Sequence, residues 1–269
     1  MYKGMYVAVS GALAAQRRLD TLTNNLANVN TAGFKEDKLV FESYLAENRK
    51  TAPESPSSRG NDNPASVEYV VAAGQYSDFS QGPVRQTGNP LDIALNGDGF
   101  LAVMTYEGER YTRKGDLKVG SNGELVTADG NIVLNDQDRP IYVNDGAVNI
   151  DEDGSVWVDG DSISGQGEKG ALMDAVTPRN VGRLKLVDFG KPYSLVKEGG
   201  GLYKGDPSSA TPATVLKVEQ GRLEGSNVNM ISQMTQIIQN QRAAETYQKV
   251  IQESDNMTTQ LILQVGRAV

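Results

Sequence analysis

Apolar residues in the first thirty positions fall into two interleaved series of sevens. Met5, Ala12, Leu19 and Leu26 form one; Ala8, Ala15, Leu22 and Val29, offset by three, form the other. A stripe of this kind sustained over four heptads predicts a helix packed lengthwise on another helix. The helix is expected to end near Thr31-Ala32-Gly33, where Gly33 can adopt a left-handed cap. About 28 residues would then form a rod of roughly 42 Å.

A second helical pattern closes the chain. Asn227 or Asn229 can cap it, and Met230, Met234, Ile237, Ala244, Tyr247, Ile251, Leu261 and Val265 recur at three- and four-residue steps. Gln241, Ser254 and Thr258 break this stripe. The remaining faces carry amides (Gln233, Gln236, Gln239, Asn240, Gln248, Gln252) where a helix meant only for water usually carries Glu and Lys. Amides can hydrogen-bond to neighbours without the desolvation cost of ions. These faces are therefore expected to meet other copies.

Between the ends the period changes. Residues 35–45 read as a short helix or as extended chain. Residues 46–66 hold no aromatic and no Val, Ile, Leu or Met, the composition of an exposed loop. From Tyr69 to Val218 short apolar runs such as Phe100-Leu101-Ala102-Val103 alternate with Asn-Gly and Asp-Gly pairs, at residues 96–97, 98–99, 122–123, 129–130, 145–146, 153–154 and 159–160. These are hairpin signals. The expected fold is α+β, with paired long N- and C-terminal helices, coiled-coil-like, bracketing a mainly antiparallel β domain. The expected division is 1–33 with 226–269 as a helical assembly core, 34–75 as connector and exposed loop, and 76–225 as the β domain.

Charge sharpens this division. The net charge is -8, but residues 1–30 carry +2, residues 226–269 carry zero, and the middle carries -10. An acidic middle repels phosphate and argues against nucleic acid as a partner; weakly charged ends suit burial against protein. No run approaches the ~20 apolar residues of a membrane span, so no membrane insertion is expected. Lys3 followed by Met5–Ala15, with Ala12-Leu13-Ala14, mimics a cleaved leader. Ser10 and Gly11 interrupt that run and the heptads continue past any cut, so an uncleaved helix is the expectation.

The chain has no Cys and no His. Thiol nucleophiles, the usual zinc ligands and imidazole acid–base catalysis are excluded. Asp92, Asp98, Asp116, Asp129 and Asp188 could supply a carboxylate pair, but no spacing argues for one. Asp151-Glu152-Asp153-Gly154-Ser155 departs from the calcium-loop pattern, with Val156 where that pattern needs Gly. Gly97-Asp98-Gly99 runs into a strand rather than a helix N-terminus and cannot cradle phosphate. No catalytic residue, cofactor or metal is expected, and the chain reads as a non-enzyme. Asn24, Asn25, Asn28 and Asn30 stand apart. Helix termination accounts for Asn30 but not for Asn24 and Asn25, which can bridge to a neighbour.

Residues 24–34, NNLANVNTAGF, resemble the signature of the flagellar axial proteins: rod, hook and hook-associated subunits. Residues 78–103, DFSQGPVRQTGNPLDIALNGDGFLAV, resemble the central segment of the rod and hook branch. The stretches 111–116 (YTRKGD) and 123–130 (GELVTADG) are similar to its next hairpins, and 219–257 to its C-terminal helix with the approach to it. The likeness covers nearly the whole chain in order; Ala32 and Leu101 are its departures. Tyr76–Pro83 and the opening MYKGMYVAVSGALAAQ are more similar to the proximal-rod member than to the distal-rod one.

The resemblance implies a structural subunit of the flagellar basal-body rod, the periplasm-spanning shaft that transmits torque from motor to hook. It implies partners: copies of itself, other rod subunits, the flagellar export apparatus during secretion, and the surrounding basal-body rings. The candidate self-assembly interface is Met5, Ala8, Ala12, Ala15, Leu19, Leu22, Asn24, Asn25, Leu26, Asn28, Val29, Met230, Met234, Ile237, Ala244, Tyr247, Ile251 and Leu261. The alternative from another class is a secreted β-domain binder, of cell-wall glycan for instance, with helical ends serving only for oligomerisation.

Overall fold

The seven-residue pattern at the N-terminus builds α1 (Tyr2–Ala27), and the C-terminal pattern builds α2 (Met230–Gly266). The computed structural model describes residues 2–46, 67–143, 146–159 and 178–266. Most of the 46–66 loop and the turns at 145–146 and 159–160 lie outside these, in whole or in part, as does the side chain of Leu261. Contacts divide the chain into two units. Unit 1 comprises 1–27, 37–76 and 229–269; unit 2 comprises 28–36 and 77–228. Among the described residues no helix is long and apolar enough to cross a membrane.

Unit 1 holds both helices and a two-stranded sheet of Asp37–Ala46 with Val67–Ser77. The open reading of 35–45 thus resolves as extended chain. Asn229 caps α2: its Oδ1 accepts from Ser232 N at 3.1 Å, and its carbonyl receives Gln233 N at 3.0 Å. The expected end of α1 needs correction. It stops at Ala27 rather than near Thr31–Gly33. Thr31 N turns back onto Asn28 O at 3.1 Å, and Asn28 and Val29 belong to that turn. Gly33 is left-handed, with φ +66°, but caps no helix; a Cβ there would stand 2.5 Å from the Arg113 carbonyl oxygen.

Unit 2 is built on antiparallel ladders. Among the described residues its largest sheet has nine strands. Seven follow in the order 196–199, 202–204, 108–112, 100–105, 132–133, 125–127 and 117–119. Strand 186–189 pairs with both 100–105 and 210–212. Three smaller ladders join 148–150, 155–159 and 178–183; 93–96 with 217–220; and 84–86 with 222–224.

The run Phe100-Leu101-Ala102-Val103 is buried on both faces. Leu101 and Val103 point into an aliphatic core with Ile93, Leu95 and Leu125, while Phe100 and Ala102 point into an aromatic one with Tyr111, Phe189 and Tyr203. An unbroken apolar run is the sequence mark of a strand covered twice. Edge-to-face ring contacts at 4.8–6.0 Å close the aromatic core, with Phe79 at its margin.

The carboxylates of the 151–155 stretch, weighed for metal binding, already have partners. Asp153 Oδ1 accepts from Ser155 N, Asp151 Oδ2 from the Trp157 indole at 2.7 Å, and Glu152 Oε2 from Lys217 at 2.9 Å.

Candidate assembly interface

In unit 1 the two helices lie side by side in opposite directions. Gly11 meets Tyr247, the Ala15 carbonyl accepts from Asn240 Nδ2 at 2.7 Å, and Arg18 approaches Gln236 at 3.5 Å. A Cβ on Gly11 would stand 2.6 Å from the Tyr247 ring, so the absent side chain lets the ring in. On α1, Ala8, Ala15 and Leu22 are buried and Met5, Ala12, Leu19 and Leu26 half-buried.

The face of α2 turned to α1 differs from the expected one. Met230 and Met234 stand 41% and 46% exposed, whereas Gln233 and Asn240, expected to face outward, are 1% and 7% exposed. Apart from Gln236, the buried and half-buried positions described on α2 run Gln233, Asn240, Tyr247, Ser254 and Ile237, Ala244, Ile251, Thr258, two series of sevens. Ser254 and Thr258 therefore continue the inward face instead of breaking it. Weighting by hydrophobicity pulled the stripe toward the methionines; seven-residue spacing of the polar residues was the signal that could have found the real face. The buried Asn240 amide is tolerable because its N–H reaches the Ala15 carbonyl.

Apolar side chains also stand on the opposite faces. Tyr6 and Leu13, seven apart, are 70% and 62% exposed on α1, and Ile231 and Ile238 are 78% and 54% exposed on α2. Hydrophobic residues at helical spacing facing outward mark a contact surface when they are contiguous.

The asparagines divide their work. Asn25 is buried and binds the backbone of Asp37 in both directions: Nδ2 donates to Asp37 O at 2.9 Å and Oδ1 accepts from Asp37 N at 3.0 Å. Its amide thus copies a strand partner and fixes where the chain re-enters unit 1. Asn28 accepts from Thr31 Oγ1 at 3.2 Å, and Asn24 is exposed. Neighbour-bridging, expected of both Asn24 and Asn25, is unnecessary for Asn25.

Sequence reasoning missed a buried charge cluster in unit 2. Glu224, fully enclosed, receives Lys35 Nζ at 2.7 Å and Gly82 N at 2.9 Å on Oε1, and Arg113 Nη1 at 3.1 Å on Oε2. Lys35 also donates to Ser80 O at 2.8 Å. Burial holds the Lys35 ammonium below its usual pKa, against the raising effect of Glu224. Lys35 follows directly on the 24–34 signature and Glu224 sits in the approach to α2; nothing in either stretch distinguishes them from surface charges.

Three family models match in chain order. Residues 5–35 match the flagella basal body rod protein family, 94–158 the flagellar hook protein FlgE/F/G D1 domain, and 219–264 the flagellar basal body rod FlgEFG protein C-terminal family. A flagellar basal-body rod protein FlgF of Caulobacter vibrioides is 34% identical over 99% of both chains. A flagellar basal-body rod protein FlgG of Borreliella burgdorferi is 34% identical over 96% of both, and the FlgF of Rhizobium meliloti 31% identical over 99% of both. The chain belongs to the flagellar basal-body rod protein family. This is a family of structural proteins, and the expected preference for the proximal-rod member, FlgF, over the distal-rod one, FlgG, fits these relatives. In this rod-family chain the two terminal matches cover the seam helices, and the central one covers most of the nine-stranded sheet.

Proposed function

We propose that this chain is a structural subunit of the bacterial flagellar basal-body rod that polymerises through its terminal helices, of the FlgF, proximal-rod kind. Its place is the basal body, in the shaft that crosses the periplasm and carries torque from motor to hook. The α1–α2 seam is read as a coiled-coil-like pair in which Gln233 and Asn240 set the register at some cost in stability. Neighbouring copies and other rod subunits then cover the outward apolar positions. Self-assembly is assigned to the residues expected from the sequence except Asn25, whose amide is taken by Asp37, with Gly11, Gln233 and Asn240 added to the seam and Tyr6, Leu13, Ile231 and Ile238 added to the outer surface.

The division of labour follows: 1–33 with 226–269 for assembly, 34–75 as connector, 76–225 as the outer β domain, with 28–36 and 226–228 built into unit 2. Passage through the flagellar export apparatus and contact with the surrounding rings belong to the same reading. The observation that carries it is the contrast on one helix pair: a closed seam of small and amide side chains, and uncovered Tyr6, Leu13, Ile231 and Ile238 on the far sides.

Two substitutions test it. Leu22→Asp puts a carboxylate in the seam, at several kcal/mol if it stays buried. Leu13→Asp leaves the seam intact and charges only the outer face. Both variants should keep a folded β domain and fail to build a rod, so cells should not swim. A motile Leu13→Asp strain would remove the outer face from the interface. A motile Leu22→Asp strain would sink the helical seam as the assembly device.

A further inference from the structure

The chain passes between the two units four times, at 27/28, 36/37, 76/77 and 228/229. On the unit 2 side, each passage is tied to the others. Gly33 N donates to Glu224 O at 2.8 Å, linking the first passage to the strand before the last. Glu36 N donates to Asn227 Oδ1 at 2.8 Å, and Glu36 O accepts from Asp78 N at 2.8 Å. Asn227 Nδ2 reaches Asp78 O at 2.8 Å, with Ser80 O and Oγ at 3.2 and 3.1 Å. Beneath them Glu224 holds Lys35, Gly82 N and Arg113.

We infer that Lys35, Arg113, Glu224 and Asn227 form a clasp that gathers all four passages on unit 2 and opens only as a whole. The physical ground is the mutual dependence of its parts. Glu224 and Lys35 have no exposed side-chain surface, and a buried ion left by its partner is strongly destabilising. Each contributing segment is therefore held by the others: 33–36, 78–82, 113 and 224–227 are far apart in sequence, and none can leave without stranding a charge or a backbone polar group. A third cation reinforces the first passage, since Lys197 Nζ lies 3.8 Å from the Phe34 ring centre and donates to Lys35 O at 3.0 Å. Such a clasp replaces four separately fraying linkers by one cooperative opening. It rests on unit 2 alone, so its test is independent of the assembly reading.

The test is amide hydrogen exchange on the full-length monomer, comparing wild type, Glu224→Gln and Asn227→Ala. The diagnostic amides are Gly33, Glu36, Asp78 and Gly82; Leu125 and Ala102 report the sheet. Asn227→Ala removes an acceptor of Glu36 alone, leaving those of Gly33 and Gly82 in place. The clasp predicts at least tenfold faster exchange at all four amides in Asn227→Ala, with Leu125 and Ala102 within twofold of wild type. Glu224→Gln should give the same set, and Asn227→Ala decides by itself if Glu224→Gln does not fold. Acceleration of Glu36 alone means independent hydrogen bonds and overturns the clasp. Equal acceleration of the sheet amides overturns it too, because the cluster would then be ordinary core.

Discussion

The two units solve burial in opposite ways. In unit 2 one strand, 100–105, buries four successive side chains, Phe100 to Val103, at 2% exposure or less, because another layer covers each face. In unit 1, among the described residues, helices of 26 and 37 residues bury of their apolar side chains only Ala8, Ala15 and Leu22, with Gly11, Asn25, Gln233 and Asn240 beside them. A seam of small and amide residues brings two backbones close without supplying much hydrophobic stabilisation. Unit 2 is furnished to fold on its own contacts. Unit 1 draws less on tertiary packing, the source of most helical stability in proteins, and in the proposed reading its neighbours supply the rest.

The largest effect expected from that contrast is in unit 2. Phe100→Ala should cost about 3–5 kcal/mol, because the ring is enclosed by Phe79, Phe189 and Tyr203 and the void cannot close. Denaturant unfolding followed through the lone Trp157 reads the loss directly. A cost under about 1 kcal/mol would mean the aromatic core is not the source of unit 2 stability.

Next comes an alkaline effect. Burial, helped by nearby Glu109, pushes the Tyr111 hydroxyl up to about 12 from the ordinary 10. Between those values the unfolded chain gives up the proton and the native chain keeps it. Stability should therefore fall as pH rises from 10 to 12, by at most about 1.4 kcal/mol per unit from this group. Tyr111→Phe should flatten the slope in that window. An unchanged slope would show that Tyr111 is not the group responsible.

The smallest effect tests the seam. Asn240→Leu removes the bond to the Ala15 carbonyl and adds apolar surface. Helical content of the free ends should rise slightly while the yield of correctly built rods falls, because an amide at such a position sets register at the expense of stability. Unchanged assembly would mean that the shape of Gly11 against Tyr247 alone sets the register.

Much of this was legible beforehand. Sevens in 5–26 marked α1, and turn pairs at 122–123, 129–130 and 153–154 marked hairpins, but those at 96–97 and 98–99 join strands that do not pair. Phe100–Val103 read as a strand without showing that both its faces are covered. The face of α2 was misjudged because Met230 and Met234 are more apolar than Gln233 and Asn240, and a helix that packs by close approach does not select for apolarity. The end of α1 was misplaced because the backbone past Ala27 finds other partners: Thr31 N turns onto Asn28 O, and Gly33 N is taken by Glu224 O, a distant partner that no local cap rule contains. The Lys35–Glu224–Arg113 cluster joins positions 189 and 111 residues apart, beyond the reach of any local pattern.

The contrast itself is tested most directly by amide exchange on the monomer and on the polymer. In the monomer, backbone amides of 2–27 and 230–266 should exchange fast while those of 100–105 and 125–127 are protected; in the polymer both sets should be protected. Helices already as protected as the sheet in a proven monomer would contradict the claim that unit 1 waits for its neighbours.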